Sequence, residues 1–192
     1  TLRLWFYVLP GLSADQAAMV IGCLGSAAII AGSVMALRQA RLKLLIAYST
    51  VAQIGYLFLV FPLATGAQSW SAMSWSACFM QSLAQAFAKA AMFFSAGLLA
   101  EALGHDQIAR LGGAARVLPL TFLTIALSGL SLMGLPPSGG FSAKWLMLQA
   151  SIISGQWFWT LPILAGGLLA AGYVYRILAP ALSDDRISLK SS

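Results

Sequence analysis

The stretch that most constrains this chain is Gly134-Leu135-Pro136-Pro137-Ser138-Gly139-Gly140-Phe141-Ser142-Ala143-Lys144-Trp145. It interrupts apolar sequence: the run from Val117 to Leu135 reads as a membrane helix, and Phe141 to Ile153 is apolar again. Proline lacks an N–H and clashes with the preceding turn, so the helix must stop before Pro136 and Pro137. Gly139 and Gly140 permit conformations that other residues resist. The sequence therefore predicts a turn there, then a new helix with Lys144 in its first turn and the positive end of its dipole nearby. Lipid cannot satisfy the backbone groups that a break leaves open, so the break is packed in protein or lines a hydrated cavity. A lysine beside it points to an ion path. The plainer alternative is a surface loop whose lysine snorkels to the headgroups.

Composition fixes the class. Hydrophobic residues make up 60% of the chain and charged residues 8%, against about 25% charged in soluble domains. Several apolar runs reach the roughly 20 residues that a bilayer crossing needs. They are continuous rather than alternating, which argues against a barrel. The expected fold is all-α, a polytopic transmembrane bundle with one broken helix. The net charge of +6 is no nucleic-acid signal, because the basic residues sit in short loops, where they report topology. Cys23 and Cys78 fall in apolar helices and read as buried small residues. His105 is the single histidine, so a multi-histidine metal centre is excluded. No cysteine cluster, haem ligand pair or nucleotide fingerprint is present, and no cofactor is expected. Residues 2–9 read as the tail of a helix, without a signal-peptide pattern, so the sequence reads as part of a longer protein.

The expected helices are 16–37, 44–64, 73–100, the broken pair 117–135 and 141–153, and 157–179. Together they form one transmembrane unit over residues 1–182, followed by a polar tail at 183–192. Small residues in the first span allow close helix approach, with Asp15 near its start and Ser26 and Ser33 as packing hydroxyls. The second span carries Tyr48, Ser49, Thr50 and Gln53. Ser49 and Gln53 are four apart and share a face, although hydroxyls in such helices often bond back to their own backbone. The third span carries Gln81, Gln85 and Lys89, again four apart. Lys89 lies about 16 Å from the end of that span, too deep to snorkel easily. An ion path is one reading of it and an ion pair with a carboxylate the other. Trp70, Trp75, Trp157, Trp159, Tyr173, Tyr175 and Arg176 read as interface anchors.

Charge sets the expected sidedness. If the broken element crosses once, Arg38, Arg41, Lys43, Arg110, Arg116, Arg176, Arg186 and Lys190 share one side and only Arg3 the other. That fits the positive-inside rule with the N-terminus outside and the C-terminus inside.

Three segments carry a family resemblance. Leu42-Lys43-Leu44-Leu45-Ile46-Ala47-Tyr48-Ser49-Thr50 with Gln53-Ile54-Gly55-Tyr56 is similar to a segment written "LKRLLAYSS…IGY". Gln85-Ala86-Phe87-Ala88-Lys89-Ala90 is similar to "HAFFKA", and Gly134 to Trp145 to "GLPPTAGFxGKW". The chain thus resembles the antiporter-like, proton-translocating membrane subunits of respiratory complex I (NADH–quinone oxidoreductase chains 2, 4 and 5). That family includes subunits of multisubunit Na+/H+ (Mrp-type) antiporters and membrane-bound hydrogenases.

The resemblance implies about half of a 14-helix subunit, the C-terminal part. It implies a proton relay through Lys89 and Lys144, with Gln81, Gln85, Ser49, Gln53, Tyr48 and Lys43 as supporting polar groups and Pro136, Pro137, Gly139 and Gly140 forming the break. It implies other membrane subunits as partners, with the N-terminal half, a lipid bilayer, and protons or Na+ as the ion. The implied location is a bacterial inner membrane. The alternatives are an Mrp-type antiporter subunit and a purely structural scaffold. Two departures stand out. Glutamine replaces the histidines that family members often carry at positions 81 and 85, and glutamine takes no proton at neutral pH, so water must carry protons between the lysines. Arg41 stands where an aspartate is common.

Overall fold

The computed structural model describes residues 14–65 and 69–183. The helix tail expected at 2–9, the middle of the 65–71 loop and most of the polar tail lie outside these residues. So do Arg3, Arg186 and Lys190. The elements are α1 (Ala14–Arg38), α2 (Leu42–Phe58), α3 (Val60–Ala64), α4 (Ser69–Leu103), a 3-10 turn at Ile108–Arg110, α5 (Ala114–Val117), α6 (Pro119–Met133), α7 (Gly139–Ile153), a 3-10 turn at Trp157–Trp159, and α8 (Thr160–Ala181).

Four stretches are long and apolar enough to cross a membrane: Asp15–Arg38, Leu42–Ala64, Trp70–Leu103 and Trp157–Ala181. α6 and α7 have 15 residues each. At 1.5 Å per residue each is about 22 Å long, short of a hydrocarbon core of about 30 Å. Neither can span alone. α4 begins earlier and ends later than the sequence predicts. Its N-terminal serines do not break it, because Ser74 and Ser76 donate to the carbonyls of Trp70 and Ala72 within the helix.

α2 is the central element, packed against α1, α4 and α8. Its contact with α1 is a backbone-to-backbone one: a Cβ on Gly25 would stand 2.7 Å from the Gly55 carbonyl oxygen. On one side of α2, Leu42, Leu45 and Ile46 join Met92, Ile125 and Ile177 in a core. At and past the C-terminal end of the same helix, Tyr56, with Leu59 and with Leu63 of α3, meets Ile29, Met147 and Ile163. The loop after α4 is tied down at the α1–α2 turn: Leu42 N–H donates to the Asp106 carbonyl (2.8 Å) and Ile108 N–H to that of Ala40 (2.9 Å).

Several sequence expectations are corrected. Cys23 is exposed, facing out of the bundle, while Cys78 is buried. Trp159 is buried at 3% exposure. Its indole N–H donates to Gln156 Oε1 at 2.8 Å, so it is a core residue and not an interface anchor. Tyr173 is also fully buried. The broken element begins its second half two residues early, at Gly139, which places Lys144 in the second turn of α7.

The single broken crossing carries a topological prediction. In a cysteine-free background, Cys placed at Ser154 and at Gln107 should label from opposite faces of the membrane. Labelling of both from one face would contradict the charge count.

Candidate functional site

The break is built by local chemistry. α6 ends in a Schellman motif: Gly134 is left-handed at φ 79°, its N–H donates to Leu130 and Ser131 carbonyls, and Leu135 N–H donates to Leu130. A left-handed residue there favours glycine. The motif occupies the carbonyls of Leu130 and Ser131 and leaves those of Leu132 and Met133 open, as helix ends do. α7 then starts with an N-cap, Ser138, whose Oγ accepts from Phe141 N–H at 3.2 Å. Pro136 and Pro137 lie between, joined by a cis bond.

The open carbonyls are where Lys144 goes. Its ammonium donates to Leu132 (2.6 Å) and Met133 (3.2 Å). It also lies 4.6 Å from the centre of the Tyr56 ring, a favourable place for a cation. The side chain is 5% exposed. The partner of this lysine is therefore the negative end of α6, and not the positive end of α7 that the sequence places nearby. A cavity of about 480 Å³ opens beside it, bounded by residues such as Leu135, Phe141, Trp145 and Leu168. Its walls are apolar apart from Lys144 and backbone, so it is not the polar, water-lined space expected. Pro136 and Pro137 are exposed and do not line it.

The glycines of the break divide by role. A Cβ on Gly140 would overlap the Ser131 carbonyl oxygen, whereas one on Gly139 would meet Ala84 at an ordinary 3.5 Å. Neither has a positive φ; they begin α7 and do not turn the chain. Gly140→Ala should prevent the approach of α7 to α6 and lower the yield of folded protein several-fold. Gly139→Ala should leave it unchanged. Detergent-extracted yield and thermal stability of the two variants check this; equal behaviour would contradict it.

Lys89 lies 7% exposed in the middle of α4. Its Nζ donates to Ser49 Oγ, and to the Ile46 carbonyl at 3.4 Å. Ser49 in turn donates to that same carbonyl at 2.8 Å, so backbone bonding and the lysine contact coexist. Thr50 bonds back to Ile46 as well. Gln53, one turn on, is fully used: Oε1 accepts from Gln81 (2.9 Å), while Nε2 donates to the Leu132 carbonyl (3.3 Å) and to the Tyr173 hydroxyl (3.4 Å). The Leu132 carbonyl thus takes bonds from both Gln53 and Lys144.

The sequence-derived residues therefore separate. Lys89 and Ser49 form one hydrogen-bonded cluster, and Gln53, Gln81 and Lys144 a second, with Ser49 and Gln53 one turn apart on α2. Gln85 is next to them, with an Oε1 that, like Gln81 Oε1, is buried and accepts no bond among the described residues. Tyr48 packs against the apolar core, and Lys43 is exposed; neither joins. Two residues are added, Tyr56 and Tyr173. Tyr56 stands seven residues after Ser49 and three after Gln53, on the same helical stripe, and that spacing marks it. Among the described residues, no carboxylate is a partner of either lysine. Of the five acidic residues, Asp15 and Glu101 stand at the ends of candidate spans, and Asp106, Asp184 and Asp185 outside them.

Comparison with known proteins places this architecture. Residues 2–170 match the family model described as NADH:quinone oxidoreductase/Mrp antiporter, TM. The chain belongs to this family. It is an integral, multi-pass membrane protein of the antiporter-like kind. It is 33% identical over 162 residues to NADH-quinone oxidoreductase subunit N of Desulforudis audaxviator, covering 84% of this chain and 31% of that one. It is 32% identical over 172 residues to F(420)H(2) dehydrogenase subunit M of Methanosarcina mazei, covering 89% and 33%. In three dimensions it matches a chain of the Mrp complex from a Dietzia species, with TM-score 0.81, 25% identity and coverage of 91% and 31%. It also matches a chain of an archaeal membrane-bound sulfane sulfur reductase, with TM-score 0.81, 25% identity and coverage of 97% and 38%. The chain spans about a third of the length of these family members.

Proposed function

We propose that this chain supplies one half of the ion path in a proton-translocating subunit of a complex I-like NADH–quinone oxidoreductase or a related hydrogenase. Its setting is a bacterial inner membrane, beside further membrane subunits and the rest of the family's fold. The observation that carries the reading is the pair Lys89 and Lys144. Both are buried and held only by neutral acceptors among the described residues, and Ser49, which accepts from Lys89, stands one turn from Gln53, which shares the Leu132 carbonyl with Lys144.

A lysine in water keeps its proton at neutral pH, with a reference pKa of about 10.4. A relay needs surroundings that do not lock the ammonium in place. Among the described residues no carboxylate pins either lysine. Charge gained or lost at one is felt at the other through a medium of low dielectric. Protons enter and leave each lysine through water, and Gln81 Oε1 and Gln85 Oε1 offer bare acceptors to order it. The broken helix supplies the carbonyls that receive Lys144, as unwound helices do in transporters.

The likeness to an Mrp complex chain favours a second reading, a cation/proton antiporter subunit. Inverted vesicles carrying the full-length subunit in its complex separate the two. NADH-driven proton uptake that needs no Na+ supports the first. Proton movement only against an imposed Na+ gradient supports the second. Unchanged transport in both Lys89→Ala and Lys144→Ala would leave only a scaffold.

A further inference from the structure

We propose that Tyr56 is the positioning residue that makes the seat of Lys144 selective for the protonated lysine. The inference rests on the relay reading above and adds to it a residue that passes no proton itself. Lys144 Nζ donates to the Leu132 carbonyl at 2.6 Å and to the Met133 carbonyl at 3.2 Å, and it stands over the Tyr56 ring, 4.6 Å from the centre. These contacts respond differently to loss of the lysine's proton. An ammonium has three N–H donors. The neutral amine keeps two, one for each carbonyl. Charge strengthens those two bonds without being required for them. The ring is the contact that requires it: the negative face of an aromatic ring attracts a cation, and a neutral amine has no charge to offer. The Leu132 carbonyl depends less on the lysine for a second reason, because it also accepts from Gln53 Nε2 at 3.3 Å.

The ring is anchored at its far end. Tyr56 is fully buried. Its hydroxyl donates to the Ile163 carbonyl at 3.1 Å, in the first turn of α8, and a backbone carbonyl has no proton to hand back. Gly166 leaves the hydroxyl its space, since a Cβ there would overlap it. Ile29, Met147 and Ile163 pack in the same cluster. Four helices therefore meet at one point: α2 gives the ring, α8 its anchor, α7 the ammonium and α6 the carbonyls. Any large apolar side chain at position 56 would serve packing alone. Packing does not account for a hydroxyl anchor, a glycine opposite it and a cation over the ring face together. Release of the proton removes the ring contact and leaves the lysine on the two carbonyls, beside the cavity of about 480 Å³. The apolar walls of that cavity accept an uncharged amine far more readily than an ammonium. The ring thus grades how firmly the charged lysine is kept at the end of α6.

The test uses the full-length subunit in its complex in inverted vesicles. Proton uptake per assembled complex is read with a pH-sensitive dye, driven by NADH, or by an imposed Na+ gradient if the complex does not oxidise NADH. Tyr56→Leu keeps an apolar side chain and removes the ring. It should lower translocation about tenfold or more, the scale of a desolvated cation–ring contact. Tyr56→Phe restores the ring without the hydroxyl and should recover most of the loss, to within about threefold of wild type, the scale of one hydrogen bond. The substitution is then repeated with phenylalanines bearing one, two and three ring fluorines, introduced by nonsense suppression. Fluorine leaves the ring's shape nearly unchanged and drains its negative face, so translocation should fall stepwise from the Tyr56→Phe level. Equal translocation across the fluorine series would show that the ring acts by shape alone and overturn the proposal. So would wild-type translocation in Tyr56→Leu when Lys144→Ala is inactive, and that outcome leaves the relay reading intact. Wild-type translocation in Lys144→Ala removes both the proposal and the place of Lys144 in the relay. If Tyr56→Leu does not assemble, the fluorine series alone decides: a stepwise fall supports the proposal, and a flat series overturns it.

Discussion

Membranes carrying Lys89→Ala are expected to contain normally assembled subunit and to translocate protons at the leak rate, a fall of about 100-fold or more if the lysine takes part in proton transfer. The expectation of normal assembly has a physical basis. Lys89 is held by Ser49 and the Ile46 carbonyl, both neutral. Ser49 keeps its own bond to Ile46 when the lysine is gone. Removing a buried side chain leaves a cavity costing about 2–5 kcal/mol, but removing a buried charge without a counter-ion offsets part of that. Lys89→Met, which refills the volume, should assemble at least as well and transport no better. Quantitative blotting of the assembled complex reads the first half, and dye-detected proton uptake per turnover reads the second. Wild-type uptake in either variant would remove Lys89 from the path.

Much of this was legible in the chain itself, and the reason differs from residue to residue. Lys89 shows because Gln81, Gln85 and Lys89 recur every four residues on a helix whose other polar residues are serines and, near its end, Glu101. The break shows because two adjacent prolines leave a helix no way to continue. What the sequence hides is which backbone groups the break exposes. The Schellman cap on Gly134 consumes two carbonyls and leaves the next two, and nothing in the residue letters says that a lysine ten residues after that glycine will turn back to reach them. Tyr173 is hidden for a different reason. It stands near Tyr175 and Arg176 close to a helix end, where an aromatic residue usually marks the interface. Only the packing of α8 against α2 turns it inward to Gln53. Lys43 is the converse: a basic residue inside a recognised segment, yet exposed on the outer face of α2.

The interior of this bundle is organised by a conflict between two needs. Membrane helices must satisfy their own backbone, and an ion path needs polar groups left free. Here the same carbonyls answer both. Leu132 and Met133 are surplus because α6 stops after 15 residues, and they are satisfied by Lys144 and Gln53 as long as those side chains keep donating. A change in the charge of Lys144 therefore changes the satisfaction of the helix end. On the proposed reading fold and transport share those bonds, which is why a substitution that keeps the bonds and stops proton release is the most informative one.

Lys144→Arg is that substitution. Arginine offers planar donors for the Leu132 and Met133 carbonyls and a cation to stack on Tyr56, so the end of α6 stays satisfied. It hardly ever gives up its proton at any pH a membrane meets. Space is tight on one side, since a Cβ on Gly134 would stand 2.6 Å from Lys144 Cδ, but the cavity beside the lysine has room for the larger head. Folded, assembled protein is therefore expected at close to the normal level, with translocation lower by about tenfold or more if proton release from this position limits the cycle. Lys144→Met makes the contrast: it loses the donors as well, leaves two carbonyls bare, and should lower both assembly and transport. Comparing uptake per assembled complex in the two variants reads the difference. Full transport by Lys144→Arg would mean that the group at position 144 never releases its proton, and that its work is to cap the broken helix alone.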